Sequence, residues 1–215
     1  MKAAVFDFDG TLADTLYDLA DAVNYGLSVL GCPIHEYEAY KKFVGNGAMK
    51  LCERALPDDR KELCQELHSL FSEYYGQHFL DKTTLYDGIR ETLTILRDNG
   101  VKLAVATNKP ESFAVRMTKS LMPEFDFVKV LGGTDKRPKK PDRAIIDAAI
   151  EALPDVETVF MIGDSNVDIQ TGKNAGILTV GCVWGFRGRE ELVSAGADYI
   201  AECPNDIAEI ICRIY

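Results

Sequence analysis

The chain has 215 residues, of which 47% are hydrophobic and 27% are charged, and its formal net charge is -10. This composition is typical of an ordinary globular protein and argues against disorder. The negative charge argues against a nonspecific nucleic-acid or anionic-membrane surface, because neither offers counter-charge to an acidic protein. We therefore expect a small-molecule partner, no nucleic acid and no membrane, while the sequence leaves the oligomeric state open.

The N-terminus leads directly into a strand pattern without a charged-then-apolar leader, and no apolar run has spanning length. We therefore expect a cytoplasmic protein. The six cysteines are far apart and include no C-x-x-C pair, so we expect reduced thiols and neither a zinc site nor a redox motif.

Five short apolar runs with many β-branched residues recur along the chain and predict strands. They span residues 3–6, 101–106, 127–131, 158–162 and 178–183. Helical patterns separate most of them, for example Ile89, Leu93 and Leu96 on one face. Alternating strands and helices predict an α/β fold built on a parallel sheet.

Residues 15–83 interrupt this alternation, because they contain no strand-like run. Leu16, Leu19 and Val23 begin one apolar stripe at helical spacing, and Leu63, Leu67 and Leu70 begin another. We predict an all-helical domain at 15–83, inserted into a core domain formed by residues 1–14 and 84–215.

Two carboxylates directly follow the first predicted strand. Asp7 and Asp9 are two residues apart, so on extended backbone both point to the same side. A turn at Asp9-Gly10 is one alternative. A calcium loop is another, although Gly10 and Thr11 stand where its third oxygen ligand is expected.

Polar residues also follow the next strands. Thr107 and Asn108 end the second strand, although Asn108 before Pro110 also suits a helix cap. Lys140 follows the third strand in a basic stretch, which could simply be a solvated loop.

Asp164 and Asp168 follow the fourth strand. A capping box between Ser165 and Asp168 explains Asp168 but does not require Asp164. Because the carboxyl ends of parallel strands form one edge, these groups would converge there with Asp7 and Asp9. A crevice of carboxylates needs a divalent cation, and an all-oxygen set predicts Mg²⁺.

In combination, these motifs resemble those of the haloacid dehalogenase-like hydrolase superfamily. The matching stretches are DFDGT at 7–11, Thr107-Asn108, Lys140 and GDSNVD at 163–168. The sequence looks most like the phosphoglycolate phosphatase branch. The resemblance implies a Rossmann-like, three-layer αβα core with the helical insert as its cap domain.

The resemblance also implies a mechanism. Asp7 would attack the phosphorus of a phosphomonoester and form an aspartyl-phosphate, and Asp9 would protonate the leaving alcohol and later activate water. Mg²⁺ would be bound by the side chains of Asp7 and Asp164 and by the backbone carbonyl of Asp9. Asp168 would be a partner of Lys140 or only a helix cap.

Thr107 and Asn108 would hold the transferring phosphoryl oxygens, and Lys140 would offset their charge and orient the nucleophile. One departure from the family pattern is that Arg143 replaces the second proline of Lys-Pro-x-Pro. Lys139 is therefore an alternative to Lys140.

In the inserted domain, Val44-Gly45-Asn46-Gly47 and Arg54 resemble the specificity loop and helix of this branch. A tight turn and an exposed helical arginine are the alternatives. An arginine facing the cleft would suit a carboxylate on the substrate, so the favoured substrate is 2-phosphoglycolate, a small phosphorylated metabolite.

Three other functions stay open. A phosphosugar mutase is the nearest. Such mutases usually carry Glu-Asp-Ser at the fourth motif, whereas this chain has Gly163-Asp164-Ser165. They also usually carry valine or isoleucine at the position of Thr11. The second is an inorganic pyrophosphatase. The third is a non-catalytic phospho-ligand-binding or regulatory protein on the same fold.

Overall fold

The computed structural model describes residues 1–153 and 155–214 and consists of two compact units. The core unit comprises Met1–Ala13 and Leu85–Tyr215, and the helical unit comprises Asp14–Thr84. Pro154 and Tyr215, which the predicted core domain includes, lie outside the described residues.

The core unit is built on a six-stranded parallel sheet. Its strands are β1 (Lys2–Phe6), β4 (Lys102–Pro110), β5 (Phe127–Gly133), β6 (Thr158–Gly163), β7 (Leu178–Cys182) and β8 (Tyr199–Ala201). They follow the order β5-β4-β1-β6-β7-β8. Two short strands, β2 (Ala13–Asp14) and β3 (Thr84–Leu85), form a separate pair at the bounds of the two units.

The helical unit contains four α-helices and one 3-10 helix. The α-helices are α1 (Leu16–Val29), α2 (Tyr37–Phe43), α3 (Ala48–Ala55) and α4 (Cys64–His78), and the 3-10 helix is Asp58–Leu63. The core-unit helices are α5 (Ile89–Asp98), α6 (Glu111–Leu121), α7 (Ala144–Ile150), α8 (Asn166–Ala175), α9 (Arg189–Ser194) and α10 (Pro204–Arg213).

Strand β1 lies at the centre of the sheet and is buried on both faces. Ala3 and Val5 pack in one apolar cluster with Ile145 and Ala149 of α7. The residues that alternate with them, Ala4 and Phe6, point to the opposite face and are also fully buried. A strand covered on both faces has no solvated side, which explains why its sequence is a continuous apolar run.

The predicted fold class is confirmed: the core is an α/β, Rossmann-like parallel sheet with flanking helices. All five predicted strands are present. The sequence did not predict β8, because three residues are too short to show an alternating pattern. No helix among the residues described is long and apolar enough to cross a membrane.

Within the helical unit, Asp18 in the first turn of α1 ties the two ends of the unit together. Asp18 is 2% exposed, and its carboxylate accepts hydrogen bonds from the backbone N–H of Lys82 and of Thr83, each at 2.9 Å. The Thr83 hydroxyl donates to the same carboxylate at 2.7 Å. Buried donors that lose an ionised acceptor are costly, so this carboxylate should be important for stability.

We expect Asp18→Ala to lower the free energy of unfolding by about 3 kcal/mol, because it leaves the buried N–H and hydroxyl groups of Thr83 without this acceptor. Urea denaturation followed by circular dichroism measures this. Asp21→Ala, one turn further along α1, removes a partly exposed carboxylate bonded to Lys82 and should cost less than about 1 kcal/mol. Equal losses in the two variants would contradict the assigned role of Asp18.

Candidate active site

Three adjacent strands bring the candidate residues to one edge of the sheet. Asp7 follows the last residue of β1, Thr107 lies near the end of β4, and Asp164 follows the last residue of β6. Strands β4 and β6 flank β1, and all three are parallel, so their carboxyl ends meet. The structure therefore places the sequence-predicted groups along one rim, where ligands bind in open parallel sheets.

The ammonium group of Lys140 connects two of the carboxylates. Its Nζ lies 2.9 Å from Oδ1 of Asp7 and 2.6 Å from Oδ1 of Asp168. The Lys140 side chain is 1% exposed, whereas Lys139 is an exposed residue. Oδ1 of Asp7 also accepts a hydrogen bond from the Phe8 N–H at 2.7 Å, so the carboxylate is fixed from two sides.

Asp164 is held by one main-chain N–H and one hydroxyl group, and two glycines approach it closely. Its Oδ2 accepts a hydrogen bond from the Phe186 N–H at 2.7 Å, and its Oδ1 lies 3.4 Å from the Thr11 hydroxyl. A Cβ at Gly10, whose φ is 82°, would lie 2.5 Å from Oδ2 of Asp164, and one at Gly185 would lie 2.2 Å from the Asp164 Cβ. Side chains at these two positions would displace the carboxylate, so glycine is required at both.

Asp168 combines the two roles that the sequence left open. Its Oδ1 pairs with Lys140, and its Oδ2 accepts hydrogen bonds from the Ser165 N–H at 3.1 Å and the Ser165 hydroxyl at 2.6 Å. The capping box at the start of α8 is therefore present together with the lysine contact.

Asn108 and Lys140 are joined by a reciprocal pair of hydrogen bonds. The Asn108 side chain donates to the Lys140 carbonyl at 3.1 Å and accepts from the Lys140 N–H at 2.8 Å. The nearby Thr107 oxygen accepts from the Lys109 N–H at 3.3 Å, so its hydroxyl proton points elsewhere and can donate to a ligand oxygen. The predicted phosphoryl contacts of Thr107 and Asn108 stay predictions.

Lys109 was not predicted from the sequence as a site residue. Its side chain is 2% exposed, and its Nζ lies 2.9 Å from Oδ1 of Asp9. The spacing offered a signal, because Lys109 is two residues beyond Thr107 on a strand and two-residue spacing places side chains on one side. Near Asp164, the Phe186 N–H was also missed, since a main-chain donor has no side-chain signature.

Burial dominates the electrostatics of the site. It raises the pKa of Asp7 from 3.8 to about 7, with a further increase from the negative charge of Asp168 and an opposing effect of Lys140. Burial, followed by the charges of Asp168 and Asp7, also raises the pKa of Asp164 well above its usual range. For Lys140, burial lowers the pKa, but Asp168 and Asp7 outweigh it and raise the value above normal.

The donor set fits a divalent cation. Asp7, Asp164 and Asp168 are all buried, and each offers a carboxylate oxygen within 4.8 Å of the others. Lys140 contacts two of them, so the three carboxylates, when ionised, would carry two negative charges in excess of its single positive charge. Buried charge without compensation is expensive, and oxygen-only ligands suit a hard cation such as Mg²⁺.

In the helical unit, Arg54 supports the glycine-containing loop that precedes α3. Its guanidinium donates to the Phe43 carbonyl at 2.9 Å and to the Asn46 side chain at 2.7 Å. Gly45 and Gly47 have φ values of 114° and 88°, which side chains rarely adopt, so this loop depends on glycine.

The chain is similar to known proteins over almost its whole length. A family model for haloacid dehalogenase-like hydrolases matches residues 4–182. The chain belongs to the haloacid dehalogenase-like hydrolase family. The predicted resemblance is therefore confirmed.

Relatives of this chain in the haloacid dehalogenase-like hydrolase family include two curated proteins named phosphoglycolate phosphatase. One, from Vibrio parahaemolyticus, is 32% identical over 98% of this chain and 96% of its own. The other, from Pseudomonas savastanoi, is 37% identical over 86% of this chain and 70% of its own. The crystal structure of a protein from Lactobacillus delbrueckii superposes with a TM-score of 0.91 at 29% identity, over 97% of both chains.

The raised pKa values predict how a divalent ion and pH act together on stability. Folded Asp7 keeps its proton between 3.8 and about 7, so without metal its contribution to stability is lost as pH rises through that range. Metal binding needs the ionised carboxylates. We therefore expect excess Mg²⁺ to raise the Tm by about 5 °C near pH 8 and by much less near pH 5.5.

Thermal melts with and without Mg²⁺ at both pH values test this expectation. Asp164→Asn should remove most of the increase, whereas Asp142→Asn, an exposed substitution in the core unit, should retain it. An equal increase at both pH values, or a full increase in Asp164→Asn, would show that the ion binds elsewhere.

Proposed function

We propose that this hydrolase is a Mg²⁺-dependent phosphatase that acts on a small phosphomonoester through an aspartyl-phosphate on Asp7, with 2-phosphoglycolate as the favoured substrate. The observation that carries the proposal is the contact of Lys140 with Asp7, which is one of three clustered, buried carboxylates. Phosphoryl transfer depends mainly on positioning and charge neutralisation, and this cluster provides both around one nucleophile.

In the first step, a carboxylate oxygen of Asp7 attacks phosphorus while the bond between phosphorus and the leaving oxygen breaks. Asp9 gives its proton to that oxygen, so the alcohol leaves neutral. The Phe8 N–H and Lys140 both bind Oδ1 of Asp7, and this supports attack by Oδ2.

In the second step, a water molecule attacks the phosphorus of the aspartyl-phosphate and gives a proton to Asp9. The bond between phosphorus and Asp7 breaks, which releases inorganic phosphate and restores both carboxylates to their starting states. One residue can serve as acid and then as base because the first step leaves it ionised.

Asp7 and Asp164 would hold Mg²⁺ through their carboxylates, and Asp9 would do so through its backbone carbonyl. When bound, the ion supplies charge neutralisation to the phosphoryl oxygens. The ammonium group of Lys140 would contribute in the same way, and the Thr107 hydroxyl would donate to a phosphoryl oxygen. We propose that Asn108 acts through Lys140, because its amide binds the backbone of that residue.

The choice of 2-phosphoglycolate draws on the curated relatives, which carry the name phosphoglycolate phosphatase over most of this chain. We propose that the helical unit is the cap domain and that its loop 44–47 recognises the substrate. Arg54 would support that loop, because its guanidinium donates to the side chain of Asn46 within the loop and to the carbonyl of Phe43 directly before it.

Gly163 favours a hydrolase over a phosphosugar mutase. At this position, where the mutases of this superfamily usually carry glutamate, a Cβ would lie 2.2 Å from the Asp168 Cγ. A glutamate would therefore displace the partner of Lys140, and the site as built excludes the mutase motif.

Phosphate release from a panel of phosphomonoesters and pyrophosphate tests the proposal. With Mg²⁺ present, we expect the highest kcat/KM for 2-phosphoglycolate. Asp7→Asn should reduce the rate to less than about one thousandth of the wild-type value, because it removes the nucleophile. The exposed substitution Asp98→Asn should leave the rate unchanged.

Mass spectrometry after rapid acid quenching should find a phosphoryl group on Asp7 of the wild type. Persistent turnover in Asp7→Asn would contradict the assigned nucleophile. A much higher kcat/KM for sugar phosphates or pyrophosphate would reject 2-phosphoglycolate as the substrate.

A further inference from the structure

A second buried lysine lies in the core unit beside the proposed acid and base. Lys109, on β4, has a side chain that is 2% exposed, and its Nζ lies 2.9 Å from Oδ1 of Asp9, whose own side chain is 13% exposed. The other buried lysine of the site, Lys140, contacts Asp7 and Asp168. The nucleophile and the acid therefore each have their own buried ammonium partner.

The backbone at Lys109 is itself fixed at this point. Its N–H donates to the Thr107 hydroxyl oxygen at 3.3 Å, and the neighbouring Asn108 is bound to the Lys140 main chain. A lysine that starts from a fixed backbone and is buried along its length has few rotamers left. Its ammonium can therefore hold one oxygen of Asp9 in one place.

We propose that Lys109 is the positioning residue for Asp9: its contact with Oδ1 sets the orientation in which Asp9 delivers a proton to the leaving oxygen. This inference rests on the proposed function. Proton transfer requires the acid within hydrogen-bond reach and correctly aligned, and small misplacements of a catalytic group are costly in rate. Without Lys109, the Asp9 carboxylate would rotate and protonate the leaving oxygen less efficiently.

Comparing phosphate esters whose leaving groups differ in basicity distinguishes a role in positioning Asp9 from a general structural role of Lys109. An alkyl phosphate releases a strongly basic alkoxide and needs the proton, whereas p-nitrophenyl phosphate releases a stable anion and needs it little. The kcat/KM value reports the steps up to departure of the leaving group, so it is independent of how fast the aspartyl-phosphate is hydrolysed afterwards.

The experiment measures kcat/KM of the wild type, Lys109→Met and Lys119→Met for 2-phosphoglycolate, ethyl phosphate, phenyl phosphate and p-nitrophenyl phosphate. Lys119, on the helix after β4, is an exposed lysine and serves as the matched control. We expect Lys109→Met to lose about 100-fold on both alkyl phosphates and less than about 10-fold on p-nitrophenyl phosphate, with phenyl phosphate between them. The Mg²⁺ concentration at half-maximal rate should stay at the wild-type value.

Equal losses on all four substrates, or no loss on any, would overturn the proposal. A loss on 2-phosphoglycolate with ethyl phosphate unaffected would also overturn it, because it would show that Lys109 pairs with the substrate carboxylate. A wild type that hydrolyses none of the four esters would instead contradict the proposed function. That result can be distinguished from failure of the Lys109 proposal, because it is observed with the wild type alone.

Discussion

The contact between Lys140 and Asp7 is the interaction on which the candidate site depends. The lysine is almost fully buried, and its ammonium group binds both Asp7 and Asp168. Burial alone would drive Asp7 toward the protonated state and the lysine toward the neutral state. Direct contact reverses that tendency for the lysine, which stays charged, and only opposes it for Asp7, whose pKa is still raised to about 7. Ionisation of the nucleophile near neutral pH therefore depends on further positive charge, which a bound divalent cation would supply.

The surrounding fold serves to keep this cluster rigid. Asp7 follows a central strand whose neighbours carry the other groups, and Asp168 is fixed by the first turn of α8 through its capping box. The reciprocal bonds of Asn108 fix the main chain at Lys140, and the Phe186 N–H holds Asp164. Preorganised charges of this kind act without reorganisation during the reaction, which is the main contribution a protein makes to this chemistry.

Much of the site could be predicted from sequence, because polar residues at strand ends interrupt apolar runs. Asp7, Asp164 and Lys140 were found in this way, and the structure brings them together. Lys109 was overlooked, since it lies beyond the predicted strand 101–106, where a lysine is usually a solvated charge, whereas β4 continues to Pro110. The Phe186 N–H could not be predicted, because a main-chain donor carries no side-chain signal and depends on how a distant loop folds back. The strand β8 was too short for its periodicity to be visible.

A crystal structure grown with Mg²⁺ and beryllium fluoride, a mimic of the phosphoryl group, tests the central claim most directly. The account predicts beryllium bonded to a carboxylate oxygen of Asp7, Lys140 and the Thr107 hydroxyl on the fluorides, and the metal ion in contact with Asp7, Asp164 and the backbone carbonyl of Asp9. Beryllium fluoride bound away from Asp7, or a metal ion that does not touch Asp164, would contradict it.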